Sequence, residues 1–474
     1  MSPRILESSW LYFALAAVLV CVAIATQFEL RVPSRQVEAP EALDRLAAEN
    51  ADEPGLNVVF LLIDTLRADR LGTYGYARDT SPNLDALAVS GIVFEDVVSQ
   101  STWTKSSMAS LWTATHPVNN GVLLYNHVLP DSATTAAEVF KAAGYRTVGI
   151  WRNGWVEPNF GFAQGFDVYV RPQPGAERAR VHRASQSPNP LGGSDEDLTL
   201  AAQDFLDQWS RERFFLYLHY MDVHQYVYDE RSALFGTRYT DAYDQAIRWT
   251  DSLVGALVHH LEERGVLDRT LLVIAADHGE AFEEHGFEGH ARDLHVETTH
   301  VPLILVLPFL LDPPIRVTET ISNADLWPTV LDLLGLPALP GADGRSALPL
   351  VRRAAKLATP GTNQPERPVF AQIARGWGNP RRPPTPIQSV TFSGQRLIET
   401  RTQPTRLQYF DREHDRAEQR DLAKERPDAV APLHALLEEY RQSARSPWGE
   451  PPVEVELDEM RLNQLRALGY VIKP

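Results

Sequence analysis

Three apolar runs in this chain end in polar side chains that bind metals, and each run does so at the same end. An uninterrupted apolar run of this length is typical of a strand that is buried on both faces of a parallel sheet. Ligands gather at the carboxyl ends of such strands. The runs are VVFLLID at Val58 to Asp64, FFLYLHYMDVH at Phe214 to His224 and LLVIAADHGE at Leu271 to Glu280.

The residues that end these runs predict a metal site at one edge of the sheet. Asp64, Asp277 and His278 together offer two carboxylates and an imidazole, which can hold a divalent cation. The second run brings Asp222 and His224 to the same edge. A single run of this kind is also compatible with a core strand that ends in a capping acid, but three with the same polarity indicate a site.

Thr104 lies between these runs, in the segment TWTKSSMASLWTATHP. The stretch from Ser106 to Thr115 has a helical pattern, which places Thr104 at or near a helix start. Free backbone N–H groups at that position would face the anionic oxygens of an ester. The alternative role of Thr104 is that of an N-cap residue, which is common for threonine at a helix start.

Several longer segments resemble a known family in order and spacing. They are NVVFLLIDTLRADRLGTYGY, TSPNLDALAVSGIVFEDVV, SMASLWTATHPVNNGV, DAYDQAIRWTDSLVGALVHHLEERGVLDRTLLVIAADHGE, HVPLILVLP and NADLWPTVLDLLGLP. Together they resemble the sulfatases and their relatives in the alkaline phosphatase superfamily over about residues 57–348. The later segment LQYFDREHDRAEQRDLA resembles the small C-terminal subdomain of that family. The resemblance implies an α/β fold with a large, mostly parallel β-sheet flanked by helices and a smaller C-terminal α+β subdomain.

One position departs from the sulfatase pattern in a way that bears on chemistry. Formylglycine sulfatases have Cys or Ser where this chain has Thr104, and Arg where it has Met108. Threonine carries a methyl group on Cβ, so it cannot become the aldehyde, and the only cysteine, Cys21, lies elsewhere. The resemblance is closer to the phosphoethanolamine and phosphoglycerol transferases, which use an unmodified threonine as nucleophile. It implies a covalent intermediate on Thr104.

The predicted metal set also departs from that of the sulfatases. Thr65 stands where they carry a second Asp, and His278 stands where the calcium-dependent members often have Asn. We therefore expect one divalent ion, Mn²⁺ or Zn²⁺ in preference to Ca²⁺, held by Asp64, Asp277, His278 and the Thr104 oxygen.

The resemblance implies roles for further residues around this metal. His290 would contact the substrate or its leaving group, and His224 would act there as general acid. Lys105 either contacts the anionic group or faces solvent. The GIWRNGW segment stands where sulfatases have a substrate-binding lysine, so Arg152 or Asn153 is expected to bind the substrate.

The composition limits the class of protein and its partners. With 474 residues and 44% hydrophobic residues, the chain can bury a large core. The formal net charge of −17 argues against nucleic acid as a partner. The expected substrates are anionic phosphate or sulfate esters, in the form of lipid headgroups, glycans or small molecules. A bound cation can locally outweigh the mean charge of the protein.

The amino-terminal segment predicts export from the cytoplasm. Residues Trp10 to Phe28 are free of charge and, at about 19 residues, are long enough to cross a hydrocarbon core. The segment is either a retained transmembrane anchor or a signal peptide that is cleaved after Ala25. Both alternatives place the catalytic domain on the periplasmic or extracellular side of the cytoplasmic membrane.

The predicted organisation therefore has six parts. They are a tail over 1–9, an anchor or signal segment over 10–28, a linker over 29–55, a catalytic domain over 56–350, a second linker over 351–388 and a C-terminal subdomain over 389–474.

Three functions fit the sequence. The first is phosphoryl transfer, most simply on a phosphodiester, through a Thr104 intermediate. The second is hydrolysis of a sulfuric ester without formylglycine. The third is an inactive relative that binds glycans or lipid headgroups, which the presence of a nucleophile together with metal ligands disfavours.

Overall fold

The computed structural model describes residues 36–467 except 38, 53–54, 173–180, 184–192, 230–233, 358–364, 380–382 and 450–452. The apolar segment over 10–28, predicted to be an anchor or a signal peptide, lies outside the described residues. Within the described part of the chain, no helix has both the length and the apolar character needed to cross a bilayer.

A mixed sheet of eight strands forms the centre of the molecule. Its strands, in chain order, are β1 Asn57–Ile63, β2 Ile92–Val98, β3 Arg146–Trp151, β4 Val168–Val170, β5 Phe214–Tyr220, β6 Thr270–Ala275, β7 His300–Val306 and β8 Ile315–Ser322. In space they follow the order β8, β2, β7, β6, β1, β5, β3, β4. Only β7 runs antiparallel to its neighbours β6 and β2, and the other pairs of this sheet are parallel. The predicted mostly parallel sheet is confirmed.

The three strands predicted from the apolar runs are neighbours at the centre of this sheet. Every residue of β1, β5 and β6 is buried, as expected of strands covered on both faces. The register pairs Ile63 with Tyr220 and Leu62 with Ala275. The chain therefore leaves all three strands at the same level, and the residues that follow them meet at one edge.

The helices of the described chain surround this sheet or belong to the C-terminal part. They are α1 Ala39–Ala51, α2 Pro82–Ala88, α3 Thr104–Thr113, α4 Pro117–Asn120, α5 Ala136–Ala142, α6 Asp195–Trp209, α7 Tyr239–Glu263, α8 Val296–Thr299, α9 Leu326–Leu333, α10 Leu348–Ala354, α11 Pro427–Gln442 and α12 Glu459–Ala467. Short 3₁₀ turns lie at Ala68–Arg70, Gly72–Tyr74, Gly154–Val156, Pro158–Phe160, Leu267–Arg269 and Asn323–Asp325.

Helix α7 shows how the crossovers are built. Its buried face includes Ile247, Val254, Leu257 and Leu261, which recur at helical spacing. Gly265 follows with a φ of 67°, a left-handed conformation that glycine adopts at little cost, and the chain then enters β6. The helix thus returns the chain to the start of a parallel strand.

The C-terminal subdomain begins earlier than the sequence predicts. Its four-stranded antiparallel sheet consists of β9 Val369–Arg375, β10 Thr385–Phe392, β11 Gln395–Thr400 and β12 Arg406–Asp411. The predicted linker over 351–388 is therefore wrong, because it contains β9 and the start of β10. Its proline and arginine residues lie on both sides of the short apolar run of β9, and they obscured that run in the sequence.

The predicted tether over 29–55 is also wrong in part. Helix α1 lies within it, and Leu43 and Leu46 of this helix are buried in the main core. The Asn50 side chain donates to the backbone oxygen of Leu334 at 2.8 Å and accepts from the Tyr145 hydroxyl at 2.8 Å. This segment is thus part of the folded domain.

Short two-stranded pairs complete the structure. They are Gln36–Val37 with Leu310–Leu311, His127–Val128 with Val453–Glu454, Val181–Arg183 with Val227–Asp229, and Ala281–Phe282 with Glu288–Gly289.

Candidate active site

Four of the predicted site residues lie together at the carboxyl edge of the sheet. Asp64, Asp277 and His278 each present one ligand atom, and these atoms all lie within 4.8 Å of one another. The Thr104 hydroxyl oxygen lies 3.2 Å from Nε2 of His278. All four residues are buried. The predicted nucleophile and the predicted metal ligands thus occupy one small volume.

The turn after β1 brings the two acids together. Thr65 has a φ of 59°, which is rare for a β-branched residue and strains the backbone. In this conformation its N–H donates to Oδ1 of Asp277 at 3.2 Å, while the Tyr243 hydroxyl donates to its carbonyl oxygen at 2.6 Å. Thr65 stands where sulfatases carry a second Asp. At this position the present protein therefore provides a backbone N–H that binds Asp277, and not an additional carboxylate.

Two carboxylate oxygens and one imidazole nitrogen at this edge are suitable ligands for a divalent cation. Nδ1 of His278 donates to the carbonyl oxygen of Gly279 at 3.0 Å, so the neutral ring carries its lone pair on Nε2. Among the described residues, Oδ1 of Asp64 and Oδ2 of Asp277 have no hydrogen-bond partner, although both side chains are fully buried. Buried carboxylate oxygens are normally satisfied. Oδ2 of Asp277 lies 3.3 Å from Nε2 of His278, so the open donor atoms converge.

The two acids differ in their electrostatic surroundings. Burial raises the pKa of Asp277, and the nearby charge of Asp64 raises this pKa further. Burial also raises the pKa of Asp64, but His224 and a hydrogen bond from His219 outweigh it, so this pKa lies below its usual range. A cation between the carboxylates would relieve the repulsion that raises the pKa of Asp277.

Asp64 is supported by His219, which did not emerge as a site residue from the sequence, and by Asn153, which the sequence predicted as a possible substrate contact. Nε2 of His219 donates to Oδ2 of Asp64 at 2.9 Å, and the Tyr217 hydroxyl donates to Nδ1 of His219 at 2.6 Å. The Asn153 amide donates to the same Oδ2 at 2.6 Å and lies 3.3 Å from the Thr104 hydroxyl oxygen. The protein therefore occupies one oxygen of Asp64 and leaves the other open.

Thr104 is the first residue of α3 and not the residue that caps it, because Trp103 precedes the first helical turn. The alternative role of Thr104 as N-cap therefore does not apply. Ser107, one turn further on, donates its hydroxyl to the carbonyl oxygen of Asp277 at 2.7 Å. This bond fixes the start of α3 against the end of β6, so Thr104 is held in place beside the predicted metal ligands.

His290 lies next to both His278 and His224. The ring centroid of His290 lies 4.6 Å from that of His278 and 4.9 Å from that of His224. Nδ1 of His290 lies 3.1 Å from Oε1 of Glu280, a residue for which the sequence predicted no role. Both predicted histidines are thus at the site.

The two histidines have opposite pKa shifts. Burial lowers the pKa of His290, but the carboxylates of Glu280, Asp64 and Asp277 together outweigh burial and the net pKa is raised. Burial lowers the pKa of His224 to about 4, so His224 is neutral at neutral pH. These shifts favour His290 over His224 as the proton donor, which differs from the predicted role of His224 as general acid.

Comparison with known families agrees with this geometry. The sulfatase family model matches residues 56–336, which is more than half of the chain. The chain belongs to the sulfatase family. It is therefore an enzyme that acts on sulfuric or phosphoric esters, in a family whose members generally bind a divalent metal.

Individual relatives of this sulfatase-family protein are distant. It is 28% identical to N-acetylgalactosamine-6-sulfatase of Canis lupus familiaris over 382 residues, which cover 69% of this chain and 70% of the relative. It is 29% identical to the Homo sapiens protein of the same name over 273 residues, 50% of this chain and 52% of the relative. The chain thus spans about half the length of the human protein.

Solved structures of the same fold include a phosphorus-ester enzyme. The phosphonate monoester hydrolase from Silicibacter pomeroyi superposes with a TM-score of 0.62 at 18% identity, over 82% of this chain and 96% of that one. At this identity the likeness shows the fold alone.

The structure contradicts one of the two roles predicted for Lys105. This sulfatase-family protein buries the side chain completely, so Lys105 does not face solvent. Its Nζ donates to the carbonyl oxygen of Tyr125 at 2.8 Å and lies 3.6 Å from the centre of the Phe160 ring. Burial lowers the pKa of Lys105 well below its usual range.

The predicted substrate contact of Arg152 is also wrong. Its guanidinium is buried, and Nη1 lies 2.6 Å from Oδ1 of Asp195 and 2.5 Å from Oδ1 of Asp222. Asp222 accepts a further bond from the Trp249 indole at 3.0 Å. Arg152 and Asp222 therefore belong to a buried ion cluster beside the site, while the neighbouring Asn153 reaches the site.

Proposed function

We propose that this protein is a metal-dependent phosphoryl-transfer enzyme that acts on phosphodiesters through a covalent intermediate on Thr104. One observation carries the proposal. An unmodified threonine hydroxyl lies 3.2 Å from Nε2 of His278, beside two buried carboxylates that each keep one unpartnered oxygen. Nucleophile and metal ligands are thus assembled without an aldehyde.

The residues present fit a bound cation and define its contribution. An ion held by Asp64, Asp277 and His278 would lower the pKa of the Thr104 hydroxyl and neutralise charge on the transferring group. We propose Mn²⁺ or Zn²⁺, because an imidazole among the ligands suits these ions better than Ca²⁺.

The covalent step follows from the positions of Thr104 and His290. The Thr104 oxygen attacks phosphorus and releases its proton to water, while the bond from phosphorus to the leaving oxygen breaks. The leaving oxygen keeps the bonding electrons and takes a proton from His290, which lies 3.1 Å from Glu280 and whose pKa is raised by the surrounding carboxylates against the effect of burial. A water molecule or an alcohol then attacks the phosphorus of the phosphothreonine and gives its proton to His290, while the bond from phosphorus to the Thr104 oxygen breaks and that oxygen takes a proton from water, which restores the hydroxyl.

The Asn153 amide supports this nucleophile. It donates to Asp64 and lies within reach of the Thr104 oxygen, so it can steady the developing anion before the bond to phosphorus forms.

The side chain at position 104 favours phosphorus over sulfur. A formylglycine hydrate expels sulfate by using its second hydroxyl, and a threonine has no second hydroxyl. A sulfated threonine would need a separate attack on sulfur, whereas a phosphothreonine is open to attack on phosphorus.

The second candidate, a sulfuric ester hydrolase without formylglycine, is favoured by the names of the relatives matched above. Glycan sulfates would be its natural substrates. The third candidate, an inactive glycan- or lipid-binding relative, is disfavoured by the intact set of nucleophile and ligands.

We also propose that the catalytic domain is held at the outer face of the cytoplasmic membrane by the apolar segment over 10–28. The support is the sequence of that segment, which is long enough to span a bilayer. In that setting the substrate would be a lipid headgroup or an extracytoplasmic glycan phosphate.

Steady-state kinetics test the proposed reaction. The purified full-length protein, loaded with Mn²⁺ or Zn²⁺, should turn over bis(p-nitrophenyl) phosphate with a kcat/KM higher than that for p-nitrophenyl sulfate. Thr104→Ala should abolish this turnover, and Thr104→Ser should keep part of it. A higher kcat/KM for the sulfate, again lost in Thr104→Ala, would support the second candidate, and no turnover of either ester would support the third.

A further inference from the structure

A second group of histidine and carboxylate side chains lies outside the site, at His285, His295 and Glu297. Their ligand-type atoms lie within 4.8 Å of one another. The two imidazole rings, however, are stacked with centroids 4.0 Å apart and planes 3° from parallel. A metal lies in the plane of an imidazole that binds it, at about 2 Å from the nitrogen. Two parallel planes so far apart cannot share an ion, so this group has another role.

The hydrogen bonds of His285 connect two parts of the molecule. Nδ1 lies 2.8 Å from Oε1 of Glu297, and Nε2 lies 2.8 Å from the backbone oxygen of Glu418. A carboxylate and a carbonyl oxygen both accept, so both ring nitrogens donate and the ring is an imidazolium. Glu418 follows the last strand of the C-terminal subdomain. One cation therefore joins this subdomain to the catalytic domain.

His285 lies at the tip of the hairpin that carries the proton donor. The strands Ala281–Phe282 and Glu288–Gly289 pair in antiparallel fashion, and His285 lies between them. Glu280 directly precedes the hairpin and His290 directly follows it. The hydrogen bond between these two residues closes the base of the hairpin, and the bridge from His285 holds its tip.

The anchor on the C-terminal side is fixed as well. Glu418 is buried, and its carboxylate accepts from the Val296 N–H at 3.0 Å and lies 3.3 Å from Nη1 of Arg396. Arg396, also buried, donates through Nη2 to the carbonyl oxygen of Leu294 at 2.5 Å. The chain just after His290 is therefore tied to the same subdomain as the hairpin tip.

We infer that His285 is a positioning residue, and that its bridge to Glu418 lets the C-terminal subdomain hold the Glu280–His290 pair in place for protonation of the leaving group. The inference rests on the proposed function, because it gives His290 the role of proton donor.

The test compares His285→Ala with His285→Arg, which keeps a cation and N–H donors, and with His414→Ala as control. His414 lies in the same subdomain, is 80% exposed and pairs with Asp411. Two phosphodiesters are used with the full-length enzyme, one with a p-nitrophenyl leaving group and one with a phenyl leaving group, which depends more on protonation. Hydrogen exchange of residues 281–290 and thermal melting accompany the kinetics.

We expect His285→Ala to lower kcat for the phenyl ester by about 10- to 100-fold, as for other outer-shell partners, and to lower kcat for the p-nitrophenyl ester less. In His285→Ala, KM should change little and the hairpin should be less protected from hydrogen exchange. His285→Arg should restore part of kcat, and His414→Ala should have the same kcat as the wild type. An equal loss on both esters, or none, would overturn the inference.

The outcomes separate this inference from the proposed function. If Thr104→Ala is inactive while His285→Ala equals the wild type, the proposed function stands and the inference fails. If the wild type leaves both diesters intact, the proposed function fails, and unchanged hairpin exchange in His285→Ala would overturn the bridge as well.

Discussion

Two pairs of buried aspartates lie at the same edge of the central sheet, and they are neutralised in different ways. Asp195 and Asp222 share the guanidinium of Arg152, at 2.6 and 2.5 Å. Asp64 and Asp277 are equally buried, but among the described residues no arginine or lysine pairs with either of them, and each keeps an oxygen without a partner.

The difference separates a structural cluster from a functional one. Two buried carboxylates repel each other and lose their hydration, so they need a cation. Where the chain supplies that cation, the cluster fixes the fold. Where the chain leaves the space to an external cation, beside a threonine hydroxyl and an imidazole, the cluster can do chemistry. The contrast makes predictions for substitutions at three positions, in order of expected effect.

The largest effect should follow from Asp277→Asn. We expect the wild type to bind about one equivalent of divalent metal and the variant to lose both the metal and at least about a thousandfold in kcat, because one ligand and its charge are gone. Elemental analysis and kinetics measure this.

The control for that experiment is Asp222→Asn, which should keep the metal. Without metal, Asp277→Asn should melt no lower than the wild type, because removal of one charge relieves the repulsion from Asp64. Unchanged metal content in Asp277→Asn would contradict the claim that an external cation neutralises Asp64 and Asp277.

Arg152→Met should act on stability rather than on metal content. Removal of the shared guanidinium leaves two buried acids without a cation, which costs about 3–5 kcal/mol in the free energy of unfolding. Denaturant titration measures this cost. The folded variant should still bind metal. Arg146→Met is the control, because Arg146 pairs with Glu212 at the surface and such pairs contribute about 0–1 kcal/mol.

The pH dependence of the Arg152→Met cost has a definite sign. Burial, and then the charge of Asp222, raises the pKa of Asp195 to about 7 even with Arg152 present. An acid whose folded pKa is raised costs more stability as the pH rises from its unfolded pKa to the folded pKa, and without Arg152 the folded pKa lies higher still, so the cost in the variant continues to grow above pH 7. The destabilisation of Arg152→Met should therefore be larger at pH 8 than at pH 5. If the loss of unfolding free energy in Arg152→Met did not depend on pH, the charges of Asp195 and Asp222 would not be its cause.

The smallest effect is expected at Lys105, which is a buried cation without a buried acid. In the described part of the chain it forms no salt bridge, and it lies against Phe160 and the carbonyl oxygen of Tyr125. Lys105→Met should keep kcat/KM within about threefold and melt at the same or a higher temperature, because an unpaired buried ammonium is costly. A loss of a hundredfold or more in kcat/KM would support the predicted contact between Lys105 and the anionic group of the substrate.

The sequence predicts the site best where the information is local. A short apolar run predicts both a buried strand and the residue that follows it. The meeting of Asp64, Asp277 and His278 at one edge of the sheet therefore follows from two such runs. The position of Thr104 at the start of α3 follows in the same way from one helical pattern.

Pairings between distant segments were not readable from local patterns. Arg152 looks like a free cation next to the site until the adjacency of β3 and β5 brings it to Asp222. His219 looks like a core residue, because it lies within a buried strand, and only the structure shows its bond to Asp64. A histidine within an otherwise apolar run was the signal available for it.

Composition misled the prediction of linkers. Prolines suggested a tether over 29–55 and a linker over 351–388, although short apolar stretches in both segments pack against the rest of the protein. The role of Glu280 was hidden for a different reason, since its partner His290 is reached only through the hairpin between them.

The central claim is that Thr104 carries the transferred group. The most direct measurement is the intact mass of the metal-loaded, full-length protein after acid quench from turnover of an aryl phosphodiester, with peptide mapping of the adduct. We predict a phosphoester on Thr104 that is absent in Thr104→Ala. An adduct elsewhere, an aldehyde or sulfate at position 104, or undiminished turnover by Thr104→Ala would contradict the account.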